Sequence, residues 1–230
     1  DEDEPAIDYF TLLGKTLLVS SINSELQDFI LMGRCITLKQ YDLIEDTGNI
    51  IIQRYSDQQS ITDLISNFYL KIDDEAYNPV FQRLMAIARE KYPGSMPLHS
   101  LNGFINIKSR NYAAALESFN KILDSLKSDA ENKYYPFNMA TTLDNIAGCH
   151  IKMNDSDKAI EACNNALGFD EKIEAPHKIT ESILHKKAEA LIMKEAYEDA
   201  NHILHQLLMD NPDDEIALQL KKRMPEINNA

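Results

Sequence analysis

The stretch Leu101–Leu123 predicts two short amphipathic helices joined by a tight turn, and it constrains the fold more than any other part of the sequence. Gly103 is a small residue in the first helix, and Tyr112 and Phe119 lie at helical spacing in the second. The small residue allows the helices to approach closely, and the large ones fill the space between them. Because one such hairpin cannot bury its own apolar face, it requires similar hairpins beside it.

The sequence supplies those neighbours, since the same pattern occurs five times. The small position of the first helix is occupied successively by Met32, Phe68, Gly103, Ala147 and Ala188. These positions are separated by 36, 35, 44 and 41 residues. The two longer separations contain extra residues between hairpins, around Pro136 and Pro176. We expect an all-α chain of about five stacked helix hairpins.

We predict the remaining helices from hydrophobic periodicity and from the Gly, Pro or Asp residues at which they begin or end. The segment QYDLIEDTGNIIIQRY is also compatible with a β-hairpin, but its face of Tyr41, Ile44 and Gly48 favours a helix, in which the glycine costs about 1 kcal/mol. KSDAENKYYPFN is expected to extend the second helix of the Leu101–Leu123 hairpin and then to form a loop, with Pro136 as the break. The other predicted helices are 5–20, 60–72, 75–92, 139–152, 155–169, 179–194, 196–210 and, capped by Asp213 or Asp214, 215–223.

Composition excludes several classes of function. The formal net charge of −14 argues against binding nucleic acid or an anionic membrane surface, both of which require basic side chains. It is compatible with a basic partner, and it also keeps an elongated protein in solution. No apolar run approaches the roughly 20 residues of a membrane span.

Three cysteines, Cys35, Cys149 and Cys163, lie within helical patterns and do not form a disulfide framework. We expect them to be buried as small hydrophobic side chains in a reducing compartment, the cytoplasm. The first residues, DEDEPA, lack the features of a secretory signal, and an acidic start of this kind also fits a fragment of a longer chain.

The repeat resembles the tetratricopeptide-repeat pattern over roughly residues 25 to 225. The residues that carry the resemblance are Gly103, Tyr112, Ala115, Phe119, Ala147, Ala159, Ala166, Ala188, Tyr197, Ala200 and Pro212. Met32, Phe68 and Gly48 depart from the pattern. The resemblance implies a right-handed α-solenoid over 25–225 with N-terminal and C-terminal capping helices. We expect the acidic N-terminus and the N-terminal helix to occupy 1–24, and a C-terminal tail to occupy 226–230. It also implies a non-enzymatic adaptor or scaffold that binds a peptide or an amphipathic segment in a concave groove, as part of a larger complex.

In the family, the first helices line the groove, and one column of this sequence is isoleucine in all five hairpins. That column is Ile36, Ile72, Ile107, Ile151 and Ile192. These side chains either line an apolar groove or pack one first helix against the next. The full set of predicted groove residues is Tyr69, Ile72, Phe104, Ile107, Lys108, Asn145, Ile151, Lys152, His185, Lys186 and Ile192.

Two other functions remain open. A chaperone-binding subclass of the family holds a carboxylate in a clamp of Lys and Asn side chains, of which Asn145 and Lys186 are present here. Other clamp places hold Ser100, Phe104 and Ser182, so the clamp is incomplete. Alternatively, the chain is a structural subunit of an assembly, for example in membrane trafficking or the endoplasmic reticulum, that uses its convex face and loops.

We predict no catalytic residue, cofactor or metal site. No Gly-rich phosphate loop, GxSxG or HExxH motif occurs. Cys149 and His150 are adjacent on a helix and point to different sides, so they do not form a nucleophile–base pair. His185, His202 and His205 are interpreted as surface histidines rather than zinc ligands.

Overall fold

The computed structural model describes residues 41–54, 78–128, 130–174 and 179–225, together with Cys35, Leu38, Lys39, Thr62 and Ile65. These residues contain nine helices and no strand, which confirms the all-α prediction for the described part. The helices are α1 (Tyr41–Arg54), α2 (Asn78–Lys91), α3 (Met96–Lys108), α4 (Tyr112–Lys127), α5 (Tyr135–Lys152), α6 (Ser156–Asp170), α7 (Thr180–Met193), α8 (Tyr197–Asp210) and α9 (Glu215–Lys222).

Residues Tyr41–Arg54 of the segment QYDLIEDTGNIIIQRY form helix α1, as predicted, rather than a β-hairpin. Gly48 lies against α2, because a Cβ atom at this position would come within 2.5 Å of Leu84 Cδ2 and 2.7 Å of Leu84 Cδ1. Carbon atoms at van der Waals contact are about 3.5–4.0 Å apart. The glycine therefore allows an approach between α1 and α2 that any larger residue would obstruct.

The chain divides into two compact units, Asp1–Ser109 and Arg110–Ala230. This boundary falls in the turn between α3 and α4, inside the predicted hairpin Leu101–Leu123. Both helices are present, and α3 begins at Met96, where the Ser95 side chain accepts a hydrogen bond from Leu98 N. How these two helices pack as a hairpin stays a prediction.

In the first unit, α1 contacts α2 and α2 contacts α3. The core includes Ile44, Phe81, Leu84 and Met85, each at most 1% exposed. Lys91 at the end of α2 closes the end of α1, because its Nζ donates a hydrogen bond of 2.6 Å to the carbonyl oxygen of Ile52. This contact satisfies a carbonyl in the last turn of α1 that has no partner within the helix.

In the second unit, each helix from α4 to α9 contacts the next, and in addition α5 contacts α7 and α7 contacts α9. Helices α5, α7 and α9 thus form a layer of alternate helices, which is the arrangement expected of stacked hairpins. The predicted small positions are buried: Ala147, Ala159, Ala166 and Ala188 are all 0% exposed. The prediction that alanines permit close helix packing is confirmed at these positions.

A backbone turn recurs in register with the predicted repeat. Every described non-glycine residue with positive φ lies seven residues after a small position, and these residues are Lys39 (φ 54°), Arg110 (57°), Asn154 (60°) and Glu195 (62°).

The turns at Asn154 and Glu195 also share their hydrogen bonds. Asp155 N donates to His150 O at 2.9 Å, and Ala196 N donates to Leu191 O at 2.9 Å. These bonds end α5 and α7 in the same left-handed C-terminal motif. The backbone therefore repeats where the side-chain pattern predicts a repeat.

The prediction for KSDAENKYYPFN, the segment that leads into α5, is wrong for the last residues of the segment. Pro136 does not break a helix but lies in the first turn of α5, which begins at Tyr135 rather than Met139. Proline is favourable there, because its fixed φ suits a helix and its missing N–H would have no partner within the helix. The remaining predicted helices between residues 75 and 225 agree with the structure to within three residues at each end, apart from α3, which begins at Met96 rather than Leu101, and α4, which continues to Lys127.

The predicted helix 5–20 lies outside the described residues. So does most of the predicted helix 60–72, of which Thr62 and Ile65 are described, both as helical and buried.

Candidate functional site

The predicted groove residues of the first unit lie on α3, except for Tyr69 and Ile72, which are outside the described residues. Phe104 is 40% exposed. Ile107 and Lys108 are half-buried. Helix α3 therefore presents one large apolar side chain to solvent.

The groove residues of the second unit differ from those on α3, because their isoleucines are buried. Ile151 is 7% exposed and packs in a cluster with Ala159 and Ala190. Ile192 is 8% exposed and packs in the core around Leu204. These two isoleucines pack helix against helix, which was the alternative interpretation of the isoleucine column.

The polar groups of α5 and α7 meet in a small cluster formed by Asp144, Ser182 and Lys186. Lys186 Nζ donates to Asp144 Oδ2 at 2.6 Å and to Ser182 Oγ at 3.1 Å. Ser182 Oγ lies 3.0 Å from the same Asp144 oxygen. Asp144 Oδ1 is buried with no hydrogen-bond partner. The cluster thus joins two alternate helices by a charged pair of which one member is almost fully buried.

This cluster has a consequence for the carboxylate clamp. Lys186, one of the two clamp residues present in the sequence, already has its ammonium neutralised by Asp144. Asn145, next to Asp144 in the sequence, is half-buried, and Lys152 is exposed about two turns further along α5. A carboxylate ligand would have to displace Asp144, which argues against the chaperone-clamp alternative.

His185 is not a surface histidine, so that interpretation of it is wrong. It is 8% exposed, and its Nε2 lies 2.6 Å from Oδ2 of Asp214, which is itself 5% exposed. Asp214 also caps α9, as predicted for Asp213 or Asp214, by accepting hydrogen bonds of 3.0 Å from Ile216 N and Ala217 N. His202 and His205 are exposed on α8, as the sequence suggested.

The environment of Asp214 favours its ionised form. Burial alone would raise the pKa of this carboxyl, but the hydrogen bonds from Ala217 N, His185 and Ile216 N together outweigh burial, and the pKa is lowered. An aspartate that accepts two backbone N–H groups at a helix N-terminus also interacts favourably with the helix dipole. Asp214 is therefore a fixed anion at the junction of α7 and α9.

All three cysteines are buried and free, which confirms their prediction as small hydrophobic side chains. Burial raises the pKa of Cys149 to about 11, against a smaller opposing effect of Lys186, and raises that of Cys163 to about 12. Burial also raises the pKa of Cys35. Since the thiolate is the nucleophilic form, none of them is an activated nucleophile at neutral pH.

A surface pocket of about 450 Å³, which the sequence analysis did not predict, lies where the two extended connections of the second unit meet. Its walls are Lys133, Tyr134, Pro136, Phe137, Lys172, Ile173 and Glu174. These residues belong to the two segments that lengthen the repeat.

The two lysines of the pocket interact with aromatic rings. Lys133 Nζ lies 4.7 Å from the ring centroid of Tyr134, and Lys172 Nζ lies 4.9 Å from that of Phe169. Tyr134 is 56% exposed and Phe137 37%. The pocket therefore combines exposed aromatic surface with positive charge.

No family model matches this sequence. None of the described helices is both long enough and apolar enough to cross a membrane.

Proposed function

We propose that this chain is a non-enzymatic protein–protein interaction module of the tetratricopeptide-repeat kind, in which the first helices of successive hairpins bind a segment of a partner protein. The observation that supports the proposal most is the left-handed turn at Arg110, Asn154 and Glu195, in register with the small helix positions. Stacked hairpins typically repeat a backbone turn at the same interval as the small residues that pack their helices together. Proteins of this architecture commonly bind partners along the surface formed by equivalent helices.

Burial narrows the choice of groove residues. Ile151 and Ile192 are enclosed in the core, so a partner meets other side chains on the second unit, among them the exposed Lys152. On the first unit, Phe104 is the most exposed of the described groove residues with apolar side chains. We propose that Phe104 receives an apolar side chain of the partner segment, in the manner of an aromatic hot-spot residue.

The experiment is an affinity capture with wild type, Phe104→Ala, and Met209→Ala as the matched control. Met209 is 71% exposed on α8, a second helix, so its truncation removes apolar surface away from the proposed groove. A partner that is captured by wild type and by Met209→Ala but lost with Phe104→Ala supports the proposal. A partner retained by Phe104→Ala, with unchanged thermal stability, contradicts the groove assignment.

A second candidate function is a structural subunit that contacts its neighbours through the two long connections. The pocket that contains Tyr134 and Phe137 favours this alternative, because exposed aromatic side chains are enriched at interfaces. Phe137→Ala in the same capture separates the two functions. Loss of the partner with Phe137→Ala, and its retention with Phe104→Ala, would favour the structural subunit.

A further inference from the structure

Glu181, His185 and Asp214 converge at the junction of α7 and the N-terminus of α9. Each offers a ligand atom, and these three atoms lie within 4.8 Å of one another. No other set of three or more His, Cys, Asp and Glu side chains in the described part of the chain meets this condition. Glu181 and His185 are one helical turn apart, which places both side chains on one side of α7.

The three side chains are the types that bind borderline transition metals, an imidazole nitrogen and two carboxylates. We propose that Glu181, His185 and Asp214 form a binding site for a divalent transition metal ion, with Zn²⁺ as the expected ion. Three protein ligands leave the fourth tetrahedral position for a water molecule. The site does not depend on the proposed function, because it lies in α7 and α9 whatever the groove binds.

The geometry requires only small adjustments to hold Zn²⁺. Bonds of about 2.0–2.2 Å place tetrahedral ligand atoms roughly 3.3–3.5 Å apart. His185 Nε2 and Asp214 Oδ2, now 2.6 Å apart, would separate slightly as the ion replaces the proton between them. Glu181 is exposed and can rotate towards the ion, whereas His185 and Asp214 are buried and have less freedom to move.

Asp214 is oriented before any ion binds. Its second oxygen, Oδ1, accepts hydrogen bonds from Ile216 N and Ala217 N, which leaves Oδ2 directed at His185. Metal-binding carboxylates are typically held by such outer hydrogen bonds.

The surrounding charge also attracts a cation. Asp213 and Glu215 flank Asp214, and the chain has a formal net charge of −14. These acidic groups oppose the unfavourable effect of the α9 N-terminal dipole on a cation.

The test is a calorimetric titration of the metal-stripped full chain with Zn²⁺, repeated with Co²⁺, whose visible absorption reports a tetrahedral site with a nitrogen ligand. The main variant is Glu181→Gln, which removes one ligand from an exposed position and leaves the buried His185–Asp214 hydrogen bond in place. The matched control is the double variant His202→Ala/His205→Ala, which removes two exposed histidines from the neighbouring helix α8.

We expect one equivalent of Zn²⁺ to bind wild type and the double variant alike and to raise their melting temperature. Glu181→Gln should bind at least tenfold more weakly, and His185→Gln should not bind at this site. Failure of wild type to bind at 100 μM Zn²⁺ (about the upper end of a useful titration) would overturn the proposal. Binding that Glu181→Gln leaves unchanged, or that the double variant abolishes, would overturn it as well.

Discussion

Lys186 Nζ lies 2.6 Å from Asp144 Oδ2, and this ion pair joins α7 to α5 across 42 residues of sequence. Asp144 keeps only 10% of its side chain exposed, and Lys186 keeps 27%. Removing one partner leaves the other partly buried without its counter-charge, which costs more than the pair itself contributes. Removing either partner should therefore weaken the contact between these two alternate helices of the second unit.

Asp144→Ala should lower the free energy of unfolding by about 1–3 kcal/mol, because the Lys186 ammonium loses its carboxylate. Lys186→Met should cost at least as much, because it leaves the more deeply buried Asp144 carboxylate with the Ser182 hydroxyl but without its counter-charge. Urea unfolding of both single variants and the double variant gives the coupling energy. A coupling energy near zero would show that the pair does not hold α5 and α7 together.

Gly48→Ala should destabilise the chain, whereas the same substitution at Gly148 should stabilise it. A Cβ at Gly48 would lie 2.5 Å from Leu84 Cδ2, and overpacking of this kind costs about 1–3 kcal/mol. A Cβ at Gly148 would lie 3.4 Å from Lys186 Cε, an ordinary contact, so the gain in helix propensity of roughly 1 kcal/mol remains.

Gly168→Ala is the control for that pair, because a Cβ there meets nothing within 4 Å and reports helix propensity alone. Thermal unfolding of the three variants provides the comparison. Equal shifts for Gly48→Ala and Gly168→Ala would contradict the close approach of α1 to α2.

Glu195→Gly should raise the free energy of unfolding by roughly 0.5–1 kcal/mol. Glu195 has a φ of 62°, a left-handed conformation that disfavours residues with a Cβ and suits glycine. Asn154→Gly at the equivalent turn should gain less, because asparagine tolerates this conformation. Chemical denaturation of both variants measures the difference, and a loss of stability in Glu195→Gly would argue that its side chain makes a stabilising contact.

Stability should fall as the pH decreases below about 6.5, partly because of His150. Burial lowers the pKa of His150 from its usual 6.5, against a smaller opposing effect of Asp155. The unfolded chain then binds more protons than the folded chain, so the contribution of His150 is complete above pH 6.5 and is lost as the pH falls towards its folded pKa.

His150→Gln should make the melting temperature less dependent on pH between 7.5 and 5.5 (the range around an ordinary histidine pKa). An unchanged pH profile in His150→Gln would assign the dependence to other histidines. Asp155→Asn provides the control, since removing the nearby carboxylate should steepen the profile.

The helices were predictable from the sequence because they depend on local periodicity, and the small positions Ala147 and Ala188 are buried as predicted. The start of α5 was not predictable, because the sequence around Tyr135 and Pro136 is equally compatible with a loop. The ion pair of Asp144 and Lys186 was beyond sequence reasoning, because side chains 42 residues apart have no spacing rule. Of these two residues, only Lys186 is among the predicted groove residues.

The burial of His185 could not be predicted for a similar reason. Its partner Asp214 was recognised as a helix cap, but the contact requires α9 to lie against α7. The pocket between Lys133 and Lys172 depends equally on the meeting of two connections that the repeat pattern identifies only as extra residues.

The three buried cysteine thiols allow the opening of each unit to be measured separately. Cys35 lies in the first unit, and Cys149 and Cys163 lie in the second, all at most 2% exposed. A thiol-specific reagent can modify them only when the surrounding structure opens. The labelling rate at each cysteine, read by mass spectrometry of the digested chain, will therefore show whether the two units open together or independently. A partner that binds one unit would slow the labelling of the cysteines in that unit more than in the other.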